Sequence, residues 1–220
     1  MANILKSVKL DHAVLKAYYK IFMGVYVLAT IIAFIFKIPA ITIPVVMVVA
    51  APFVSVYFFV YERNNLSKMY GILPLRRSEV VIGRYTYVLL FGILNEVFSG
   101  ILAYLLSTIL NVRISYLEFL IFFSAGFLYI CLYISIQLPL YFRFQFSKVY
   151  IFSNLPVYLV AVFLVYLFKK TGFLHQLSQA IQYSPSSQEI IWATTGLGLG
   201  LILVMISCRL SFLINRKSEL

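Results

Sequence analysis

"ITIPVVMVVAAPFVSVYFFV", residues 41–60, runs for twenty residues without a charge and is followed at once by "YERNNLSKMYGILPLRRSEVVIGRY", residues 61–85, with five cations and two carboxylates. The first stretch decides the fold class. A helix rises about 1.5 Å per residue, so twenty apolar residues cover a hydrocarbon core of about 30 Å. The run does not alternate apolar and polar residues as a barrel strand does, so it reads as a helix.

Working outward, similar runs occupy about 21–36, 85–109, 117–139, 149–168 and 190–212. The sequence therefore predicts an all-α polytopic membrane protein with six transmembrane helices in one transmembrane domain over residues 1–220. Composition agrees: 63% of residues are hydrophobic and 11% charged, where soluble domains carry about 25% charged residues.

The net charge of +11 sits in short segments beside the apolar runs. With the N-terminus in the cytoplasm, inside segments hold 14 cations, from Lys6 to Lys217. Outside segments hold only Lys37, Arg113, Lys169 and Lys170. Cytoplasmic loops carry the excess of Lys and Arg, so both termini are expected in the cytoplasm. The cations then meet anionic membrane lipids and not nucleic acid.

Cys131 and Cys208 both lie inside predicted spans, far apart in sequence, and read as packing residues. The N-terminus lacks the small-residue cleavage site of a signal peptide and is expected to be retained.

Wound as a helix, residues 1–20 gather Lys6, Lys9, Lys16 and Lys20 on one side, with Ile4, Val8, Leu15 and Tyr18 opposite. This predicts an interfacial amphipathic helix, with a frayed basic tail as the alternative. The extracellular connection 169–189 carries Phe173, Leu174, Leu177 and Ile181 at near-helical spacing. It reads either as a short helix dipping into the membrane or as a plain surface loop.

Within the polar stretch 61–84, Leu66, Met69, Tyr70 and Leu73 share one helical face, and Asn64, Asn65 and Lys68 lie on others. Pro74 ends this short helix, and Ser78 can cap the next, which runs through Glu79 into the third span. Such a helix either rests on lipid or docks in a protein groove.

The pattern "ERNNLSKMYGILPLRRSEVVIGRY" resembles the loop between spans two and three in type-2 permeases of bacterial ATP-binding-cassette exporters. There an "LP" pair, a basic residue, "SE" and a "(K/R)Y" recur. "QLPLYFRFQFSKVYIF", residues 137–152, is similar to the family's second cytoplasmic loop. "ISCRLSFLINRKSEL", residues 206–220, is similar to its basic C-terminal end. "RFQF" departs from the family by lacking a glycine after "RF".

The resemblance implies that 61–84 is the cytoplasmic coupling loop. Asn65, Leu66, Lys68, Met69, Tyr70, Leu73, Arg76 and Arg77 would meet a separate ATPase subunit. That partner would bind ATP and Mg, and this chain would hold no cofactor. A second permease subunit, identical or different, would complete the path in the bacterial cytoplasmic membrane. The toxin or antimicrobial-peptide exporting branch fits the 17 tyrosines and 20 phenylalanines, which suit an amphipathic or hydrophobic cargo. Drugs and lipids fit the same composition.

The chain carries no catalytic constellation of its own. "GLGLG", residues 196–200, has no lysine to meet phosphate. His12 and His175 fall on opposite sides of the predicted membrane, so no metal site is expected.

Glu96 is the one ionisable residue near mid-span, and a carboxylate there is costly unless paired, hydrated or protonated. Glu96, with Asn95 and Gln137, is the candidate lining of a translocation path. The alternative is a structural hydrogen bond from Glu96 to a neighbouring span, through Gln137 or Asn95. Gly92, Ser99, Ala103 and Ser107 share the Glu96 face, and Gly196 and Gly200 make a G-x-x-x-G step. These small residues predict close helix packing. Pro52 and Pro156 are expected to kink the second and fifth spans.

Two other functions fit the composition. A non-transporting membrane protein, such as an immunity or assembly factor, would explain the charge distribution equally well. An intramembrane enzyme would need more polar groups at depth than Glu96 alone supplies.

Overall fold

The computed structural model describes residues 8–9, 11–13, 15–16, 19–63, 77–144, 146–155, 158–159 and 186–217. Every regular element among them is helical: α1 (Tyr19–Phe36), a 3₁₀ turn (Pro39–Ile41), α2 (Thr42–Ala50), α3 (Phe53–Arg63), α4 (Arg77–Leu110), α5 (Tyr116–Arg143), α6 (Phe146–Ser153) and α7 (Ser186–Lys217).

Four stretches are long and apolar enough to cross a membrane: Pro39–Arg63, Ser78–Leu110, Tyr116–Arg143 and Ile190–Ile214. They match the second, third, fourth and sixth predicted spans. The apolar part of the first, Met23–Phe36, is shorter. Most of the fifth, and the 169–189 connection except its last residues, lie outside the described residues.

Local chemistry sets the helix ends. α4 stops where Asn111 adopts a left-handed φ of 52°. Val112 N–H then reaches Ser107 O at 3.0 Å and Asn111 N–H reaches Thr108 O at 3.4 Å, which satisfies carbonyls the helix leaves open. Ser115 then caps α5: its side chain accepts from Glu118 N–H at 3.0 Å, the Ser half of an S-x-x-E capping box. Lys37, after α1, also turns left-handed, at φ 54°, and Pro39 prevents α1 from resuming.

Pro52 interrupts the second span between α2 and α3. It has no N–H for the Val48 carbonyl, so the chain crosses the gap on tighter bonds, Val54 N–H to Ala51 O at 3.1 Å and Ser55 N–H to Pro52 O at 2.9 Å. Pro139 stays inside α5. Ser78 is the second residue of α4 and not the residue before the helix, so it does not take the expected capping position. Pro156 lies outside the described residues.

α5 is the centre of the bundle. Among the described residues α7 packs along it more extensively than any other pair of helices, and α2, α3, α4 and α6 also contact it. The main core joins Val46, Met47, Val54, Ile130, Ile134 and Leu138 with their neighbours. Outward faces are apolar too, as at Leu94, Phe98 and Ile101 on α4 and Leu199, Ile202 and Met205 on α7. A membrane solvates these side chains and water would not.

Candidate functional site

The polar residues at depth fall into separate groups. Asn95 and Glu96 are adjacent on α4 but face different neighbours. Tyr26 of α1 donates to Asn95 Oδ1 at 2.9 Å, and Asn95 Nδ2 donates to Phe91 O at 2.8 Å. Glu96 is fully buried and points at Gly126 of α5, beside Met47 and Ile43 of α2. The Phe127 backbone N–H faces its carboxyl group but neither oxygen has a hydrogen-bond partner of good geometry.

Gln137 lies elsewhere. It and Gly126 are eleven positions apart on α5, about 16 Å along the axis. It therefore does not meet Glu96 and instead belongs to a buried network tying α3, α5 and α6 together. Gln137 Nε2 donates to Ser55 Oγ at 2.7 Å and to Tyr133 OH. Tyr133 OH donates to Asn154 Oδ1 at 2.6 Å, Ser55 Oγ to the same oxygen at 3.2 Å, and Tyr141 OH to Ser55 Oγ at 3.2 Å.

The small residues of α4 face its neighbours. Ser99 and Ala103 are fully buried, and Ser99 Oγ bonds back to Glu96 O at 2.8 Å. Thr42 Oγ1 donates to Ser99 O at 3.4 Å. On α7, Gly196 lies against Ser124 and Gly200 against Cys131 and Phe127, while Gly198 between them meets nothing within 4 Å.

At the end of the bundle where the 64–76 segment leaves, Arg84 of α4 is buried among aromatic rings. Its guanidinium carbon is 4.5 Å from the ring centre of Tyr61, 5.4 Å from Phe58 and 5.3 Å from Phe142. Phe58 in turn stacks on Tyr141 at 4.4 Å. Nearby, Glu62 accepts from Ser147 Oγ at 2.9 Å and from its N–H at 3.2 Å. Tyr85, next to Arg84, joins Ser207 and Ser211 of α7 at 2.6 and 2.8 Å.

Asn65, Leu66, Lys68, Met69, Tyr70, Leu73 and Arg76 lie outside the described residues. Arg77 begins α4, and its side chain is not among those described. In the N-terminal segment Leu15 is buried while Lys9 and Lys16 are exposed, and Asp11, which the amphipathic reading passed over, is buried.

Sequence reasoning missed the Ser55–Tyr133–Asn154 network and the Arg84 cage. The spacing of Tyr133, Gln137 and Tyr141 at successive steps of four was a readable sign of the first. An arginine just before the third span, with Phe58 at the end of the second and Tyr61 just past it, was a sign of the other.

The arrangement defines a polytopic helical membrane protein with its polar groups sequestered between helices. Residues 6–214 match the family described as "ABC-2 family transporter protein". The chain belongs to that family and is a membrane permease subunit of an ABC transporter, working with a separate ABC ATPase subunit. No curated protein and no solved structure gives a significant match to the chain.

Proposed function

We propose that this chain is one of two six-span permease subunits of an ATP-driven exporter in a bacterial cytoplasmic membrane, with both termini in the cytoplasm. The residue 64–73 helix docks in a groove of the ATPase subunit, with Leu66, Met69 and Tyr70 as its filling contacts and Lys68, Arg76 and Arg77 at the rim. Anionic lipids surround the basic loops.

The observation that supports this reading is the Arg84 cage. The two helices flanking the 64–76 segment are α3 and α4, and Arg84 draws the last turns of α3 onto α4 and the end of α5. A push on the segment therefore meets a packed joint and not two loose helix ends. ATP binding closes the paired ATPases, moves the docked helix, and passes the motion through this joint to α5, the central helix.

Glu96 serves the path, and Asn95, bonded to Tyr26, ties α4 to α1. A buried carboxyl group with no hydrogen bond of good geometry among the described residues is an expensive state, and a seam that opens during transport, between α2, α4 and α5, gives Glu96 a cationic group on the cargo to meet. Gln137 holds α5 against α3. The cargo is an amphipathic or hydrophobic molecule, with a peptide toxin or bacteriocin favoured by the resemblance of the loops to that branch of the family.

The test is purification of the tagged chain in mild detergent, with co-purifying proteins identified by mass spectrometry. A stoichiometric ATPase, lost when Leu66, Met69 and Tyr70 become Ser, supports the docking. An ATPase that stays bound to a folded triple variant overturns it.

A further inference from the structure

An apolar groove of about 680 Å³ lies between the N-terminal segment and the outer face of α4. Val8, Lys9 and His12 form one wall, and the α4 residues from Tyr87 to Phe98, including Leu90 and Leu94, form the other. We infer that this groove holds one anionic phospholipid, its acyl chain along Tyr87–Phe98 and its phosphate at Lys9. The inference rests on the membrane placement of the chain and not on its transport role.

Geometry supplies the first argument. The Tyr26–Asn95 bond joins α1 to α4 at an offset of 69 residues. The same offset carries Ala33 to Leu102, and these two residues belong to one packed cluster. α1 and α4 therefore run parallel and in step, so Tyr19, where α1 begins, is level with Val88. The segment before Tyr19 therefore joins the bundle from the Tyr87 end of the groove. From Tyr87 to Phe98 is eleven residues, about 16 Å along a helix, which matches the depth of one leaflet, half of a core of about 30 Å.

Charge supplies the second. Lys9 belongs to the wall that joins the bundle at the Tyr87 end and is exposed, and the proposed pose sets its ammonium group at headgroup level. No carboxylate lines the groove among the described residues. A lysine at the headgroup level with an apolar channel one leaflet deep beneath it complements a single anionic phospholipid. A zwitterionic lipid fills the same channel without the net attraction.

The experiment uses the full chain, in whatever assembly it purifies, reconstituted in phosphatidylcholine vesicles. Trp192, the single native tryptophan, is replaced as Trp192→Phe, and Phe98→Trp places a reporter in the groove. Quenching is compared for phosphatidylglycerol and phosphatidylcholine brominated at mid-chain. An Ile202→Trp reporter on the outward face of α7 measures the ordinary lipid shell.

The groove reporter is expected to prefer phosphatidylglycerol by about fivefold, the weight of one lysine at an anionic surface. Lys9→Gln removes the preference and Lys9→Arg keeps it, while the α7 reporter shows none. Equal quenching by both lipids overturns the inference, as ordinary shell lipid. So does quenching by neither, which means that a second copy or another protein covers the groove. A preference that survives Lys9→Gln overturns the phosphate position. If Phe98→Trp does not fold, retention of phosphatidylglycerol on the wild-type chain against Lys9→Gln, by native mass spectrometry, decides the same question.

Discussion

Glu96 and Gly126 form a matched pair across the α4–α5 contact: a methyl group on Gly126 would stand 3.1 Å from Glu96 Oε1 and 3.1 Å from Met47 Cγ. The glycine is what lets the carboxyl group lie between two helices. Gly126→Ala forces either Met47 or Glu96 to shift, and overpacking of this kind costs about 1–3 kcal/mol. The variant is expected to show a lowered thermal midpoint in detergent, and an unchanged midpoint would mean that the contact is loose.

Removing the carboxyl group has the opposite sign for stability. Among the described residues neither oxygen of Glu96 has a hydrogen-bond partner of good geometry, the Phe127 N–H being the group that faces it, and a buried polar group left unsatisfied costs about 1–3 kcal/mol. Glu96→Met keeps the length and loses the polarity, so the chain is expected to become more thermostable while transport falls. A gain in stability with transport intact would take Glu96 out of the path.

Arg84 fills a volume bounded by Phe58, Tyr61 and Phe142, so its stem packs and its head meets ring faces. Arg84→Ala loses both and is expected to destabilise the fold by about 2 kcal/mol. If the cage is the joint of the coupling loop, the variant also keeps ATPase binding while transport per ATP falls. Co-purification together with a ratio of transport to hydrolysis separates that outcome from simple unfolding.

The helices were legible in the sequence and their partners only in part. Apolar length locates a span without any knowledge of its neighbours, which is why 85–109, 117–139 and 190–212 fall inside α4, α5 and α7. Those helices run further at both ends because polar residues such as Ser78 and Arg143 extend them beyond the apolar core. Pro52 announced its own break. Which face meets which helix depends on packing across distant segments, so Glu96 could be seen as needing a partner while its neighbour Gly126 could not be named. Tyr133 and Tyr141 were hidden among the many tyrosines that membrane proteins place at interfaces, although here they bond inside the bundle. The contacts assigned to 64–76 rest on the loop pattern alone.

The Tyr133–Asn154 bond, at 2.6 Å, links α5 to the end of α6 and permits a double-mutant cycle. Tyr133→Phe and Asn154→Leu each disturb a shared network, so their effects on thermal unfolding should not add. Side-chain bonds within membrane bundles couple by about 0.6 kcal/mol on average and about 1.7 at most. A coupling in that range is expected, and strict additivity would show that the two groups contribute independently.

The two sides of α7 give a paired test of which face carries the packing. A side chain at Gly200 would start 3.3 Å from both Cys131 Sγ and Phe127 Cδ1, whereas one at Gly198 would meet nothing within 4 Å. Gly200→Val must displace Cys131 or Phe127 of α5, on the most extensive helix contact among the described residues, and overpacking there is expected to cost about 1–3 kcal/mol. Gly198→Val adds an apolar group to an open face at no steric cost, so its thermal midpoint should equal or exceed that of the parent. Equal destabilisation by both variants would mean that something not seen in this chain alone, such as a second permease subunit, covers the Gly198 face.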